Sequence, residues 1–446
     1  MNRKLVLLGL LMAALPSRCP AQNTPGFGPK HAFTFEDMMT LKRLGDPQVS
    51  PDGRWVMFSA VEVNVEENTR KPHLWIVPAG GGSAKQITSG QAGENRGRFS
   101  PDGKSILYVS SAVGGSQIWI AAFDSQSGIL AGDARQLTSI STEADGAIWA
   151  PDGRRILFIS EVYTDCKDDA CNRARDEELA KSKVKAKVFT RLFYRHWSSY
   201  TRFKRSHLFM VPAEGGVPVD ITPGDHDVPP FSLGGQDLYA ISPDGQEVSF
   251  TSNIDEVEAT STNNDVFVVP ITGGTPKKIS SSPGSDSTPL YSPDGRYIAY
   301  RSQARGGYES DRFRLLIYDR KSGAITDLTK GFDRWVNAFA WTPDSSAVYF
   351  AGDDQGSAPL WRVKVSGGAP EKVLGGYNDE PAFSPDGKTI FVSRMSIQAP
   401  NEIYKAGISS SATMEAQQLS HINDAVLSHL EMSPLESFEF SGANKT

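Results

Sequence analysis

The chain has 446 residues, of which 39% are hydrophobic and 22% are charged, and this composition is that of an ordinary globular protein. Its formal net charge of −6 is small for this length, so there is no general electrostatic attraction to nucleic acid or to anionic membranes. Length alone would suggest two or three domains, but an internal repeat overrides that estimate.

The N-terminus has the features of a secretory signal. Asn2-Arg3-Lys4 is positively charged, and an apolar run of 11 residues follows from Leu5 to Leu15. This run is too short to span a bilayer but suits a signal peptide cleaved after Ala21. Lipidation at Cys19 is the alternative, and Arg18 fits a lipoprotein signal poorly. We therefore predict a signal peptide over 1–21 and a mature chain that is periplasmic or secreted, with no membrane span.

A short Ser-Pro-Asp-Gly-like phrase recurs seven times along the chain. Its prolines are Pro51, Pro101, Pro151, Pro243, Pro293, Pro343 and Pro385. The steps between them are 50, 50, 92, 50, 50 and 42 residues. A fixed period of this size indicates an array of equal supersecondary units. The one long step indicates an insertion of about 40 residues in the third unit.

Each unit reads as short antiparallel strands separated by turns. Pro fixes φ at the second position of the turn, and Gly accepts the left-handed conformation that leads into the next strand. In the first unit the predicted strands are Trp55–Phe58, Leu74–Val77 and the shorter Gln86–Thr88, and Gly97–Phe99 is assigned as a fourth strand that leads into the next turn. Four strands per period are typical of a propeller blade.

The sequence therefore predicts an all-β fold, a seven-bladed β-propeller of four-stranded antiparallel blades over residues 48–430, after a lead-in at 22–47. A β-helix has a much shorter repeat, and a β-sandwich has no reason to repeat seven times. Propellers of the Trp-Asp repeat type match less well, because the units lack that signature.

The insertion, at about 163–205 in blade 3, begins with a highly charged segment in which Arg173–Val188 is predicted to be a solvated helix. It also contains Cys166 and Cys171. In an oxidising compartment these two can form a local disulfide, and two free thiols are the alternative. Zinc is disfavoured because His196 and His207 lack the spacing of a zinc finger, and no metal or cofactor is expected.

The second part of the insertion is rich in aromatic residues and arginine. Its candidate substrate-binding residues are Arg191, Tyr194, Arg195, His196 and Trp197. Insertions in repeat folds often form the binding face. Arg195 is the strongest candidate for a substrate carboxylate or carbonyl, because guanidinium offers a planar fork of donors. The alternative is that the rings only pack the insertion and that Arg195 pairs with Glu177 or Glu178.

Near the C-terminus, Ile422–Leu430 is predicted to be a short helix, and Glu436–Ala443 is predicted to begin a new strand. The last residues, 431–446, are then expected to be the start of a further domain that the sequence does not continue.

Several segments together resemble the propeller of the prolyl oligopeptidase family of serine peptidases, most closely its secreted bacterial dipeptidyl aminopeptidases and acylaminoacyl peptidases. The resemblance runs from about Phe35 to the end of the chain. The segments that carry it are Phe35–Gly53, Tyr194–Trp197, Arg205–Phe209, Leu419–Asn423 and Phe438–Phe440.

In that family the propeller restricts access of peptides to an α/β-hydrolase domain with a Ser-Asp-His triad. This sequence contains no Gly-x-Ser-x-Gly elbow, so no catalytic residue is assigned. The resemblance implies peptide substrates and a hydrolase domain, missing or separately encoded, as partners. A free-standing periplasmic scaffold of the TolB type is the alternative, although only Asn23–Pro47 is available for the extra N-terminal domain of such proteins.

We predict that the purified chain of 446 residues hydrolyses neither dipeptidyl nor acylaminoacyl chromogenic substrates, because the strained turn that presents a catalytic serine is absent. Release of chromophore that a serine-directed phosphonate blocks, with the label mapped to a serine of this chain, would contradict the prediction.

Overall fold

The computed structural model describes residues 29–201, 203–232, 234–409 and 413–443. The predicted signal segment 1–21, with Cys19, lies outside the described residues. Within these ranges seven four-stranded antiparallel sheets follow one another along the chain. The first strands of neighbouring sheets contact each other, so they lie nearest the axis of the ring. The predicted seven-bladed β-propeller is therefore confirmed.

Each blade is a meander whose four strands follow the order of the sequence. The strands of blade 1 are Arg43–Val49, Trp55–Asn64, Thr69–Pro78 and Lys85–Gln86, and those of blade 2 are Glu94–Phe99, Ser105–Ser110, Gln117–Asp124 and Ile129–Gln136. The strands of blade 3 are Asp145–Trp149, Arg155–Val162, Arg205–Pro212 and Val219–Asp220, and those of blade 4 are Tyr239–Ile241, Glu247–Ser252, Asp265–Pro270 and Lys277–Lys278. The strands of blade 5 are Asp286–Tyr291, Tyr297–Ser302, Arg314–Asp319 and Ile325–Asp327, and those of blade 6 are Phe339–Trp341, Ala347–Ala351, Leu360–Lys364 and Glu371–Leu374. The strands of blade 7 are Tyr377–Phe383, Thr389–Ser396, Ala399–Gly407 and Ala416–Gln418.

The predicted boundary between blades is wrong by one strand. The run before each turn pairs with the run after it, as Phe99 does with Ile106, so Gly97–Phe99 belongs to the first strand of blade 2 and not to blade 1. A tight turn can join only adjacent antiparallel strands, and each Ser-Pro-Asp-Gly phrase is the hairpin between the first two strands of its blade.

The repeated turn is held by one hydrogen-bond pattern. In six of the seven turns the hydroxyl of the opening Ser or Thr donates to the Asp carboxylate at 2.6–2.7 Å. In blade 3 Ala150 has no hydroxyl, and Arg155 instead donates to Asp152 at 2.9 Å. Each turn Asp also accepts a backbone N–H two residues later, for example that of Lys104 onto Asp102 at 3.1 Å. These bonds lower the pKa of Asp102.

A second repeated device holds the outer edge of the blades. A side-chain hydroxyl just after the fourth strand accepts a hydrogen bond from a backbone N–H of the third strand. In blade 1, Thr88 accepts this bond from Leu74 N at 2.9 Å. The equivalent acceptors in blades 2, 3, 4, 5 and 7 are Thr138, Thr222, Ser280, Thr329 and Ser420. All six hydroxyl residues are buried, so each bond satisfies a donor that water cannot reach.

Apolar side chains fill the spaces between neighbouring blades. One cluster joins blades 2 and 3 through Leu107, Ile118 and Phe158, and another joins blades 1 and 7 through Phe58 and Phe391. Each blade buries its two faces only against its neighbours, which is why the array is stable as a closed ring.

The ring closes without an exchanged strand, because blades 1 and 7 are each continuous in sequence. Side chains make the junction. The carboxamide of Asn423 accepts from Lys42 N at 2.8 Å and donates to Lys42 O at 3.1 Å, so it pairs with the backbone as a strand would. Buried Glu402 accepts from Asn423 N and Nδ2 at 2.9 and 3.1 Å and fixes the carboxamide.

Outside the blades, α1 spans Phe35–Thr40, α2 spans Asp169–Lys181 and α3 spans Asp424–Leu427, with a short 3₁₀ turn at Glu258–Thr260. The predicted helix Ile422–Leu430 is thus shorter than expected, because Asn423 is held in the ring junction. The predicted strand at Glu436–Ala443 is wrong: residues 432–443 contain no strand, and Phe438 and Phe440 are exposed.

We predict that Asn423→Ala lowers the free energy of unfolding by about 1–3 kcal/mol, because Lys42 and Glu402 lose buried hydrogen-bond partners. Chemical denaturation of parent and variant measures this change. His421→Ala is the matched control, because its side chain is exposed and bonds only to exposed Asp424. Equal stability of the two variants would contradict the role of Asn423.

Candidate functional site

The insertion and both ends of the propeller lie on one face of the ring. Strands alternate in direction within a blade, so connections between strands 2 and 3, and those between blades, share one face, while the Ser-Pro-Asp-Gly turns share the other. We call the first the insertion face. The chain enters it through α1 and leaves it through α3, and His31–Ala32 pairs there with Leu430–Glu431.

Helix α2 begins earlier than predicted and also ends earlier, at Lys181 instead of Val188. The side chain of Asp168 caps it by accepting Cys171 N at 2.9 Å, which sets the first turn. A disulfide joins Cys171 to Cys166, with Cα atoms 5.4 Å apart. The last i,i+4 pair of the helix is Glu177 with Lys181, and the basic residues beyond it have no acid one turn earlier to pair with.

The helix is docked on the start of the insertion. Buried Asn172 accepts Tyr163 N at 2.8 Å, and Asp176 accepts the hydroxyl of Tyr163 at 2.9 Å. Lys204, at the end of the insertion, also donates to Asp176 at 2.7 Å. These bonds bring the two ends of the insertion together, so its aromatic part projects as a loop from a fixed base.

Part of the aromatic segment packs on itself. Arg195–His196 and Ser199–Tyr200 form a short hairpin. The ring of Phe189 contacts those of Tyr194, Tyr200 and Phe203, with centroids 5.3, 5.8 and 5.0 Å away. Tyr194 therefore helps to hold the hairpin, as the packing alternative expects.

The other part of the segment packs against the connection between blades 3 and 4. The ring of His196 stacks on Phe231 with centroids 4.1 Å apart, and Trp197 meets Phe231 edge-on at 6.0 Å. Trp197 is 71% exposed and Phe231 is 54% exposed. We name His196, Trp197 and Phe231 the aromatic platform. Sequence reasoning missed Phe231, which lies in the connection between blades 3 and 4 and outside any repeated motif.

The arginines of the insertion have different partners. Arg191 makes two bonds to Asp225, at 2.6 and 2.9 Å. Arg195 donates to Trp197 O at 2.7 Å and lies 5.9 Å from the ring of Tyr194, so the alternative ion pair with Glu177 or Glu178 is not formed in the described chain.

Arg205, where blade 3 resumes, is the centre of an ion-pair network on the insertion face. It donates to Asp225, Asp227 and Glu258 at 3.1, 2.9 and 2.8 Å. The hydrogen bonds from Arg191 lower the pKa of Asp225 to about 2, although partial burial opposes them, and Arg205 adds to the shift. Because Asp225 lies beyond blade 3, this network anchors the insertion to the connection toward blade 4.

The mouth of the central channel opens on the same face. One equivalent position, six residues before each turn proline, lies in or just before the first strand, and its side chain is polar in every blade but the first. The residues at this position are Gly45, Asn95, Asp145, Asp237, Ser287, Asn337 and Asp379. In blades 1, 2, 3, 5 and 7 a β-bulge follows this position and turns the strand.

Charged groups at the mouth are partly paired across blades. Arg96 donates to Asp237 at 2.6 Å, and Arg98 donates to Asp46 at 2.7 Å. The backbone N–H of Asp46 donates to Glu380 at 3.0 Å, which adds a contact at the ring junction. These residues were not predicted from the sequence. They could be found by their fixed distance from the turn proline, but only if the strand before each turn is assigned to the correct blade.

Among the described residues no cluster of His, Cys, Asp and Glu has the arrangement of a metal site. In the same part of the chain, no helix has the length and apolar character needed to cross a bilayer.

Comparison with known proteins agrees with this architecture. The family model described as PD40, TolB beta propeller domain, matches residues 240–426. "Dipeptidyl-peptidase 5" of Porphyromonas gingivalis is 29% identical over 437 residues, which are 96% of this chain and 61% of that protein. The chain is similar to the dipeptidyl-peptidase 5 proteins over nearly its whole length. The family resemblance predicted from the sequence is thereby confirmed, and the chain spans about three fifths of the length of this relative.

Solved structures show the same fold. An acylaminoacyl peptidase in complex with Z-Gly-Gly-Phe-chloromethyl ketone has a TM-score of 0.68 at 18% identity, covering 92% of this chain and 57% of its own. The beta-propeller domain of the Trilobed protease from Pyrococcus furiosus has a TM-score of 0.54 at 16% identity, covering 86% of this chain and 97% of its own. The TolB-like scaffold is not favoured, since the relationship to dipeptidyl-peptidase 5 spans nearly the whole chain.

The lowered pKa of Asp225 gives a prediction about acid stability. Its folded pKa of about 2 lies below the usual aspartate value of 3.8, so the carboxylate stabilises the fold above pH ~3.8 and loses this contribution as the pH falls toward 2. Asp225→Asn removes it at every pH. We expect the difference in Tm between parent and variant to shrink across that window.

Thermal unfolding from pH 6 to pH 2.5 measures the difference. Asp133→Asn is the control, since Asp133 is exposed and makes no ion pair within the described ranges. A difference in Tm between parent and Asp225→Asn that stays constant with pH would contradict the stabilising role of the Asp225 carboxylate.

Proposed function

We propose that this propeller binds short peptides and controls their access to an α/β-hydrolase domain that docks on the insertion face. One observation carries the proposal: the aromatic platform, the channel mouth and both ends of the propeller share that face. The names of the relatives, dipeptidyl-peptidase 5 and acylaminoacyl peptidase, indicate the class of reaction. Residues 431–446 are then the start of the connection to the hydrolase domain.

The exposure of the aromatic platform supports a binding role. Trp197 is 71% exposed beside exposed Phe231, and Phe193, whose ring lies 5.0 Å from that of His196, is 45% exposed. Leu192, in the same loop, is 54% exposed. Apolar surface of this kind, concentrated in one place, marks an interaction site more often than it marks packing. A peptide side chain or a domain surface that covered the rings would remove them from water.

The candidate residues have different proposed roles. His196 and Trp197 contact the peptide through their rings, and Tyr194 supports the hairpin from behind. Arg195 is placed beside them by its bond to Trp197 O and keeps donors for a peptide carbonyl or carboxylate. Arg191 is engaged by Asp225, so we assign it to positioning the loop and not to contact with substrate.

The channel supports the gating role. Polar side chains lie near the start of the first strands. Arg98 and Asp46 join the neighbouring blades 2 and 1, and Arg96 and Asp237 join blades 2 and 4. We propose that this opening admits extended peptides and excludes folded proteins. A periplasmic or secreted location remains a prediction from the signal-like residues 1–21.

We predict that Trp197→Ala lowers kcat/KM at least fivefold, equivalent to ~1 kcal/mol, in an enzyme formed by fusing the hydrolase domain of a dipeptidyl-peptidase 5 relative to this chain. Arg195→Ala is measured alongside, with a dipeptidyl chromogenic substrate. Val217→Ala is the control, because Val217 is 84% exposed but lies on the opposite face.

A change of less than twofold in kcat/KM, about 0.4 kcal/mol, would assign Arg195 to structure. If Trp197→Ala also stayed within twofold, or if Val217→Ala had the same effect as Trp197→Ala, the proposal for the insertion face would be wrong.

A further inference from the structure

Arg301 lies at the mouth of the channel on the insertion face. It is near the end of the second strand of blade 5, where its backbone pairs with Ser287 of the innermost strand. On the second strand of blade 5, Tyr297 and Ala299 pack toward blade 6, whereas Ile298 and Tyr300 pack toward blade 4. By this alternation, Arg301 points toward the junction of blades 5 and 6.

The guanidinium of Arg301 has no hydrogen-bond or ion-pair partner in the part of the chain that the structure describes. Its Nε is buried and unpaired. The guanidinium lies over the ring of Phe313 at 4.7 Å, and Trp335 meets that ring edge-on at 5.3 Å. The aromatic support fixes the side chain but leaves its N–H donors unused.

This arrangement differs from that of other arginines on the same face, since Arg96 and Arg205 are both neutralised by carboxylates. An unpaired cation in a largely buried place lowers stability. Consistent with this, burial lowers the pKa of Arg301 to about 10, although the charge of Asp379 opposes the shift. Residues that cost stability and have no structural partner are characteristic of binding sites.

The surroundings limit the ligand. Asp379 lies on the innermost strand of blade 7, and burial, together with the negative charge of Asp353, raises its pKa. Asp353 is bonded only weakly by Asn337, at 3.4 Å. Neither acid makes an ion pair with Arg301 in the described residues. Their charge disfavours a multiply charged anion such as phosphate, whereas a single carboxylate can use the guanidinium fork.

We propose that Arg301 binds one carboxylate of a short peptide at the channel mouth. That the ligand is a peptide rests on the proposed function, whereas the site for a carboxylate rests on the geometry of Arg301 alone. The carboxylate can be the C-terminus of a peptide or an acidic side chain, and both offer two oxygens to the terminal N–H groups of the fork.

Isothermal titration of this chain, without any hydrolase domain, tests the proposal with Ala-Ala, Ala-Ala amide and Ala-Glu amide. We expect Ala-Ala to bind at least tenfold more tightly than Ala-Ala amide. Ala-Glu amide binding as tightly as Ala-Ala would identify a side-chain carboxylate as an accepted source, and binding as weakly as Ala-Ala amide would restrict the site to the C-terminus.

The variants are Arg301→Gln and Arg301→Lys, with Arg305→Gln as the matched control. Arg305 is on the same face, is 62% exposed and pairs with Asp311 at 3.4 Å. We expect Arg301→Gln to weaken binding of Ala-Ala at least tenfold, Arg301→Lys to restore part of it, and the control to stay within twofold. Thermal unfolding should show Arg301→Gln to be at least as stable as the parent, so that lost binding is not lost folding.

Equal binding of Ala-Ala and Ala-Ala amide, an effect of Arg301→Gln below twofold, or tighter binding of inorganic phosphate than of acetate would each overturn the proposal. None of these results bears on the aromatic platform, which the fused enzyme tests separately. Conversely, loss of the platform's role would leave a carboxylate site at Arg301 intact.

Discussion

The junction between blades 7 and 1 is the constraint on which the closed ring depends, and the pairing of the Asn423 carboxamide with the backbone of Lys42 is one of its contacts. A propeller needs its last blade to meet its first, and here no strand crosses between them. One side chain takes the place of that strand, with buried Glu402 holding it in position. The apolar cluster of blades 1 and 7 then completes a junction like those between other blades.

This junction also determines where the site lies. Because the ring closes next to α1 and α3, the chain enters and leaves at one place on the insertion face. A domain that followed the propeller would meet that face first. The aromatic platform and the channel mouth are therefore brought to the same side by the even number of strands in each blade, and by the position of the insertion between strands 2 and 3 of blade 3.

Much of the fold could be predicted because the repeat is local chemistry. The Ser-Pro-Asp-Gly phrase forms the same turn wherever it occurs, and alternating apolar residues after it form a strand. The errors arose where pairing partners matter. Gly97–Phe99 was assigned to the wrong blade, since a strand next to two turns can pair on either side, and Glu436–Ala443 was assigned as a strand although no partner strand is described there.

The sequence by itself determined the number of blades, the place of the insertion and the relationship to peptidase propellers, because periodicity and motifs are properties of the chain order. It also indicated Arg191, Tyr194, Arg195, His196 and Trp197 as candidate binding residues, with Arg195 the strongest candidate. Only the tertiary structure decided that Phe231 contacts His196 and that Arg191 pairs with Asp225. It also decided that Nε of Arg301 has no acceptor among the described residues. Such contacts join residues from different blades or loops, so their partners are set by ring closure and packing, which no local pattern encodes.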